Sequence, residues 1–127
     1  MDRISRWLAV GVGVGSVALG GVALVRPAQV GRALGLETSS RGGLQLSRVL
    51  AVRDVVLGLN ILAAGRDPEK LRRGIAFRMA AELSDLVMLT VGRKRVVQPR
   101  GRWLALTVFP VVAFEAWVYR RLGAWRR

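Results

Sequence analysis

Arg48, Arg53, Asp54, Arg78, Glu82, Asp85 and Glu115 all fall inside apolar runs of this chain, and there is no histidine or cysteine to accompany them. Charged groups at such positions are costly in hydrocarbon and imply a polar interior shielded by protein. Three kinds of chemistry are open to them. Carboxylates in a low-dielectric interior can take up protons, guanidiniums can hold an anionic or carbonyl-bearing molecule, and the two together can form ion pairs that fix which helices meet. Arg78, Glu82 and Asp85 recur at i, i+4 and i+7, which places them on one stripe of a helix and allows an Arg78–Glu82 pair along it. Arg53 and Asn60 share one helical face, with Ser47 and Asp54 on the adjoining one.

These residues are positioned by four apolar blocks, at about 7–25, 44–64, 74–91 and 103–119. Each is close to the length that crosses roughly 30 Å of hydrocarbon at about 1.5 Å per residue. The 127 residues leave room for one domain. A hydrophobic fraction of 52% and a mean hydropathy of +0.34 fit the same reading. The expected fold is all-α: a transmembrane four-helix bundle with a short interfacial helix between spans one and two. That helix is expected over 26–36, with Pro27 at its first position and Gly35 as its C-terminal cap. Gly65 and Pro68 punctuate a tight turn between spans two and three, and 92–102 reads as a basic loop. The first block is longer than the apolar core of a cleaved signal peptide, so a retained span is expected.

Comparing depths along antiparallel spans gives a pairing scheme. Arg53 and Asp54 lie near the centre of span two and should face Glu82 near the centre of span three. Arg78 should meet Glu115 toward one membrane face, and Arg48 should meet Asp85 toward the other. The ledger of Arg48, Arg53 and Arg78 against Asp54, Glu82, Asp85 and Glu115 leaves one acid over. Such an acid becomes a hydrogen-bond donor or a carrier of protons. Structural ion pairing is the first reading of this seam, and a proton or ligand site at Arg53, Asp54, Asn60, Arg78, Glu82 and Asp85 is the second.

Other function classes are weakened by composition. The net charge of +13 could mean nucleic acid, but the basic residues lie mainly at block edges, where they would meet anionic lipid head groups. Without cysteine and histidine there is no thiol redox centre, and the commonest general base and metal ligand is missing. Glu82 and Asp85 could do acid/base work, but no nucleophile elbow, phosphate loop or metal-ligand cluster accompanies them. The expectation is a non-enzyme with no catalytic residues, no metal and no cofactor. Gly11, Gly13 and Gly15 look like part of a dinucleotide fingerprint but lack the strand before and the acid after. Gly11, Gly15, Ser16 and Gly20 read instead as a small-residue surface for helix packing, with Gly11, Gly15 and Gly20 as a contact for self-association. The expected partners are the lipid bilayer and a second copy or another membrane protein, with no nucleic acid. Trp7, Trp103, Trp117, Tyr119 and Trp125 sit at block ends, as an aromatic belt requires. A small excess of basic residues favours cytoplasmic termini in a multi-pass cell-membrane protein.

The segment 27–36, ending in Leu34-Gly35-Leu36, the spacing Arg48-x4-Arg53-Asp54-x3-Gly58, and the acid-bearing third block with Asp85 resemble a family of small four-helix bacterial membrane proteins, mostly of unknown function. The architecture also resembles the broader DoxX-like group, some of whose members accompany oxidoreductase systems. The resemblance covers about two thirds of the chain. It implies the bundle and carries no redox centre onto these residues.

Overall fold

The computed structural model describes residues 2–92, 97–99 and 101–124, and among them the chain is helical, with no strand beyond a single bridge between Leu36 and Val97. Residues 93–96 and 100 of the basic loop lie outside the described residues, as do Trp125, Arg126 and Arg127. The order is α1 (Arg3–Val25), α2 (Pro27–Ala33), α3 (Arg41–Ala63), α4 (Pro68–Val91) and α5 (Gly101–Leu104), then a 3-10 turn (Ala105–Thr107) and α6 (Val108–Gly123).

Local chemistry explains the helix ends. Asp2, Ser40 and Asp67 cap α1, α3 and α4, accepting from the backbone N–H of Ser5, Gly43 and both Glu69 and Lys70. The Lys70 N–H, followed by that of Glu69, holds the exposed Asp67 carboxyl below its ordinary range. Pro27 and Pro68 open their helices at positions where a missing N–H costs nothing. Helix α2 closes in a complete Schellman motif, with Leu36 N–H donating to Gly31 O at 2.9 Å and Gly35 N–H to Arg32 O at 3.1 Å. Gly35 stands at φ 85°, which a side chain would resist.

Helices α1 and α3 run antiparallel at close range. A row of small residues on α1, Ala9, Gly13, Ser16, Gly20 and Ala23, is buried at helical spacing. A Cβ on Gly20 would lie 2.6 Å from Ala51 O, and one on Gly58 would lie 2.6 Å from Gly13 O, so each helix needs its glycine for the other's backbone to approach. This corrects the sequence reading of the packing surface. Ser16 and Gly20 lie on it, whereas Gly11 and Gly15 face open space, because the contact row runs through Gly13 on the other side of the helix. Gly20 is taken up by α3 and is not free to meet a second copy.

The interior is layered along its length. At the end holding both termini, Ala9, Ile61, Ala64, Leu71, Ile75, Val118 and Leu122 form an apolar plug contributed by α1, α4, α6 and the C-terminal end of α3. The charged side chains come next, and Leu89 and Val97 pack at the opposite end. Outside, large apolar side chains are exposed on every long helix, among them Val14 and Val22, Val52 and Val56, Phe77 and Val87, and Phe109 and Phe114.

The fourth apolar block is not the continuous helix expected over 103–119. Pro110 has no N–H to give the Leu106 carbonyl, and its ring crowds that carbonyl, so the chain tightens into the 3-10 turn before α6 begins. Among the described residues, α1 alone is long and apolar enough to cross a membrane by length and composition, with a mean hydropathy of 2.2 over its best window. Helix α3 carries Arg48, Arg53 and Asp54 within its length, α4 carries Arg78, Glu82 and Asp85, and α6 has 16 residues.

Candidate functional site

Two arginines organise the interior. Arg53 projects from the middle of α3 and grips Asp85 of α4 with two parallel bonds, Nη1 to Oδ1 at 2.6 Å and Nη2 to Oδ2 at 2.8 Å. It also holds its neighbour Asp54 through Nε at 3.2 Å and Nη2 at 2.8 Å. The forked contact to Asp85 is the geometry in which a guanidinium binds a carboxylate best.

Arg78, one face further into the bundle, is 8% exposed and reaches three elements. Its Nε donates to Glu115 Oε1 of α6 at 2.7 Å, its Nη2 to Glu82 Oε1 at 2.8 Å, and its Nη1 to the Ser16 hydroxyl of α1. Ser16 in turn donates to the backbone carbonyl of Asp54 at 2.6 Å. One hydroxyl therefore joins α1, α3 and α4, and the network runs from Asp85 through Arg53 and Asp54 to Ser16, Arg78 and Glu115. Glu115 is 1% exposed, and its Oε2 has no hydrogen-bond partner.

No family model, curated protein or solved structure matches the chain. The Arg78–Glu115 and Arg78–Glu82 contacts form at the depths the sequence assigns them. Two other pairings differ. Arg53 meets Asp85, one helical turn beyond Glu82, because Glu82 is drawn back along α4 to Arg78. Arg48 lies exposed on the outside of α3 and does not meet Asp85, whose two oxygens Arg53 occupies. Asn60 is also outside the network. It is exposed and lines a shallow groove with Lys70, Arg73 and Phe77, since α3 has turned its Ile61 face toward the core by that point.

A difference in stability between two variants follows. Arg48→Ala should change the melting temperature little, within the roughly 0.5 kcal/mol usual for surface substitutions. Arg53→Ala strands two carboxylates and should lower it by many degrees. Equal melting of the two variants would contradict the placement of Arg48.

The sequence reading had Ser16 only as a packing residue. Its role as a hydrogen-bond hub went unseen because its acceptor is a backbone carbonyl, which every residue carries. The one available signal is that Ser16 interrupts a glycine and alanine row at the depth of Asp54. Beside the network, Glu82 and Asp85 also line a half-open pocket with Leu36, Leu50, Leu89 and Val108. No cluster of three or more metal-ligating side chains occurs among the described residues.

Proposed function

We propose that this chain is a small integral membrane protein in which α1, α3, α4 and the α5–α6 segment cross the bilayer as a four-helix bundle. In this reading α2 lies at the interface, and the Arg53 and Arg78 network locks the helices in register. The role is structural or accessory to a membrane system, and no catalysis is assigned. The observation that carries this reading is the inversion of the usual pattern, with charges from α3, α4 and α6 gathered inside while large apolar side chains cover the outside. In water that exterior would be an aggregation surface, and in lipid it is the favoured one.

Features at the two ends support the same reading. Trp7, Trp103 and Trp117 are exposed near helix ends, and Arg121 stacks over the Trp117 ring at 4.7 Å as an interfacial cation–aromatic pair does. Arg72 stacks likewise over Tyr119 at 4.5 Å. Helix α1 contributes Ser16 to the network and Gly20 to the α3 contact, which favours a retained span over a removable leader. Of the spacing Arg48-x4-Arg53-Asp54-x3-Gly58 that resembles the small four-helix membrane family, Arg53 and Asp54 build the network, Gly58 admits α1 and Arg48 lies outside.

Alkaline carbonate extraction of cell membranes tests the proposal. The protein should remain in the pellet, and recovery as a monodisperse soluble species would overturn the bundle reading. Because the chain has no cysteine, single-cysteine variants at Arg3 and Arg66 can be labelled with an impermeant maleimide. Cytoplasmic termini predict protection of both sites in intact cells.

A further inference from the structure

The interior acids outnumber the interior arginines. Two guanidiniums, Arg53 and Arg78, face four carboxylates, Asp54, Asp85, Glu82 and Glu115, while Arg48 stands outside. Two of these acids lie beside a pocket. Glu82 and Asp85 line a half-open cavity of about 100 Å³ whose other walls are mostly apolar, including Leu36, Leu50, Leu89 and Val108.

The two acids are not equivalent. Asp85 gives both oxygens to Arg53, whereas Glu82 gives Oε1 to Arg78 and its Oε2 has no donor among the described residues. The apolar plug lies at the end of the termini, away from the pocket, which Ala33 of α2 and Leu34 help to line.

We propose that this pocket binds the protonated amino group of a small amphiphile, an alkylammonium, with Glu82 Oε2 accepting its hydrogen bond and the leucine and valine walls taking its hydrocarbon chain. Charge complementarity selects this occupant. An anion would meet two acidic side chains, and the guanidiniums of Arg53 and Arg78 are already engaged by carboxyl groups. An inorganic cation would lack ligands, because Asp85 is held by Arg53 and most of the wall is hydrocarbon. The proposal needs the folded interior described above and deepens the membrane reading by giving its polar seam a ligand class.

Thermal melting of the purified protein in a nonionic detergent, followed by tryptophan fluorescence, provides the test. Hexylammonium chloride should raise the melting temperature by a few degrees and saturate with dose. Hexanol, hexanoate and ammonium chloride at matched concentration should not. Glu82→Gln should abolish the response. Val108→Phe, which fills the pocket without touching the ion network, should abolish it too, and this variant decides the matter if Glu82→Gln does not fold. An equal shift with hexanol would mean apolar partitioning, and an equal shift with ammonium chloride an inorganic-cation effect. Either result, or a response that survives Val108→Phe, would overturn the proposal. Loss of the protein from carbonate-washed membranes would instead strike the membrane reading while leaving this site standing.

Discussion

Arg78→Met will destroy the folded bundle, and adding Glu115→Leu with Glu82→Gln will recover much of it. The single substitution removes the donor that serves Ser16, Glu82 and Glu115 together. It leaves Glu115 at 1% exposure with no cation beside either oxygen. Removing one partner of a buried ion pair costs about 3–5 kcal/mol, whereas replacing the whole set by apolar or neutral groups of similar volume is often neutral or stabilising. The single variant should therefore aggregate or melt well below the parent in detergent, and the triple variant should melt near it. Should Arg78→Met melt like the parent, the network would not be what holds α4 and α6 to α1.

The second large effect lies in the glycine contact between α1 and α3. Gly58→Val and Gly20→Val each place a branched side chain where even a Cβ would stand 2.6 Å from a backbone oxygen of the facing helix. Backbone cannot yield as a flexible side chain can, so the helices must separate. Overpacking of this kind costs about 1–3 kcal/mol or more. Separation would also stretch the bond from Ser16 to the Asp54 carbonyl, so the loss should exceed that of a simple core clash. Gly11→Ala and Gly15→Ala are the controls. Both positions are open, and alanine in a helix interior gains about 0.5–1 kcal/mol over glycine. Their melting temperatures should hold or rise. Destabilisation at Gly11 or Gly15 equal to that at Gly58 would place the α1 contact row on the wrong face.

How much of this was legible in the sequence depends on how local the cause is. Helix boundaries at Pro27, Gly35, Gly65 and Pro68 are set by the backbone freedom of those residues alone, and the sequence analysis identifies them. The pairing of Arg78 with Glu82 follows from helical spacing, and that with Glu115 from depth. Depth gives no azimuth, however, and this is where Arg48 misled. It matches Asp85 in height but points away from α4, while Arg53, a turn and a half further along α3, points toward it. The break ahead of α6 was missed for a different reason. An apolar run that length alone would make a span is divided by the local geometry of Pro110.

Each interior arginine has a carboxylate partner within its own helix. Arg53 is neutralised by the very next residue, and Arg78 finds a carboxylate one turn along its own helix. In the proposed membrane bundle, a nascent segment would thus already carry a counter-ion for Arg53 or Arg78 before any later helix has been synthesised. The contacts of Arg53 to Asp85 and of Arg78 to Glu115 then need only be made laterally, as each later helix docks beside those already formed.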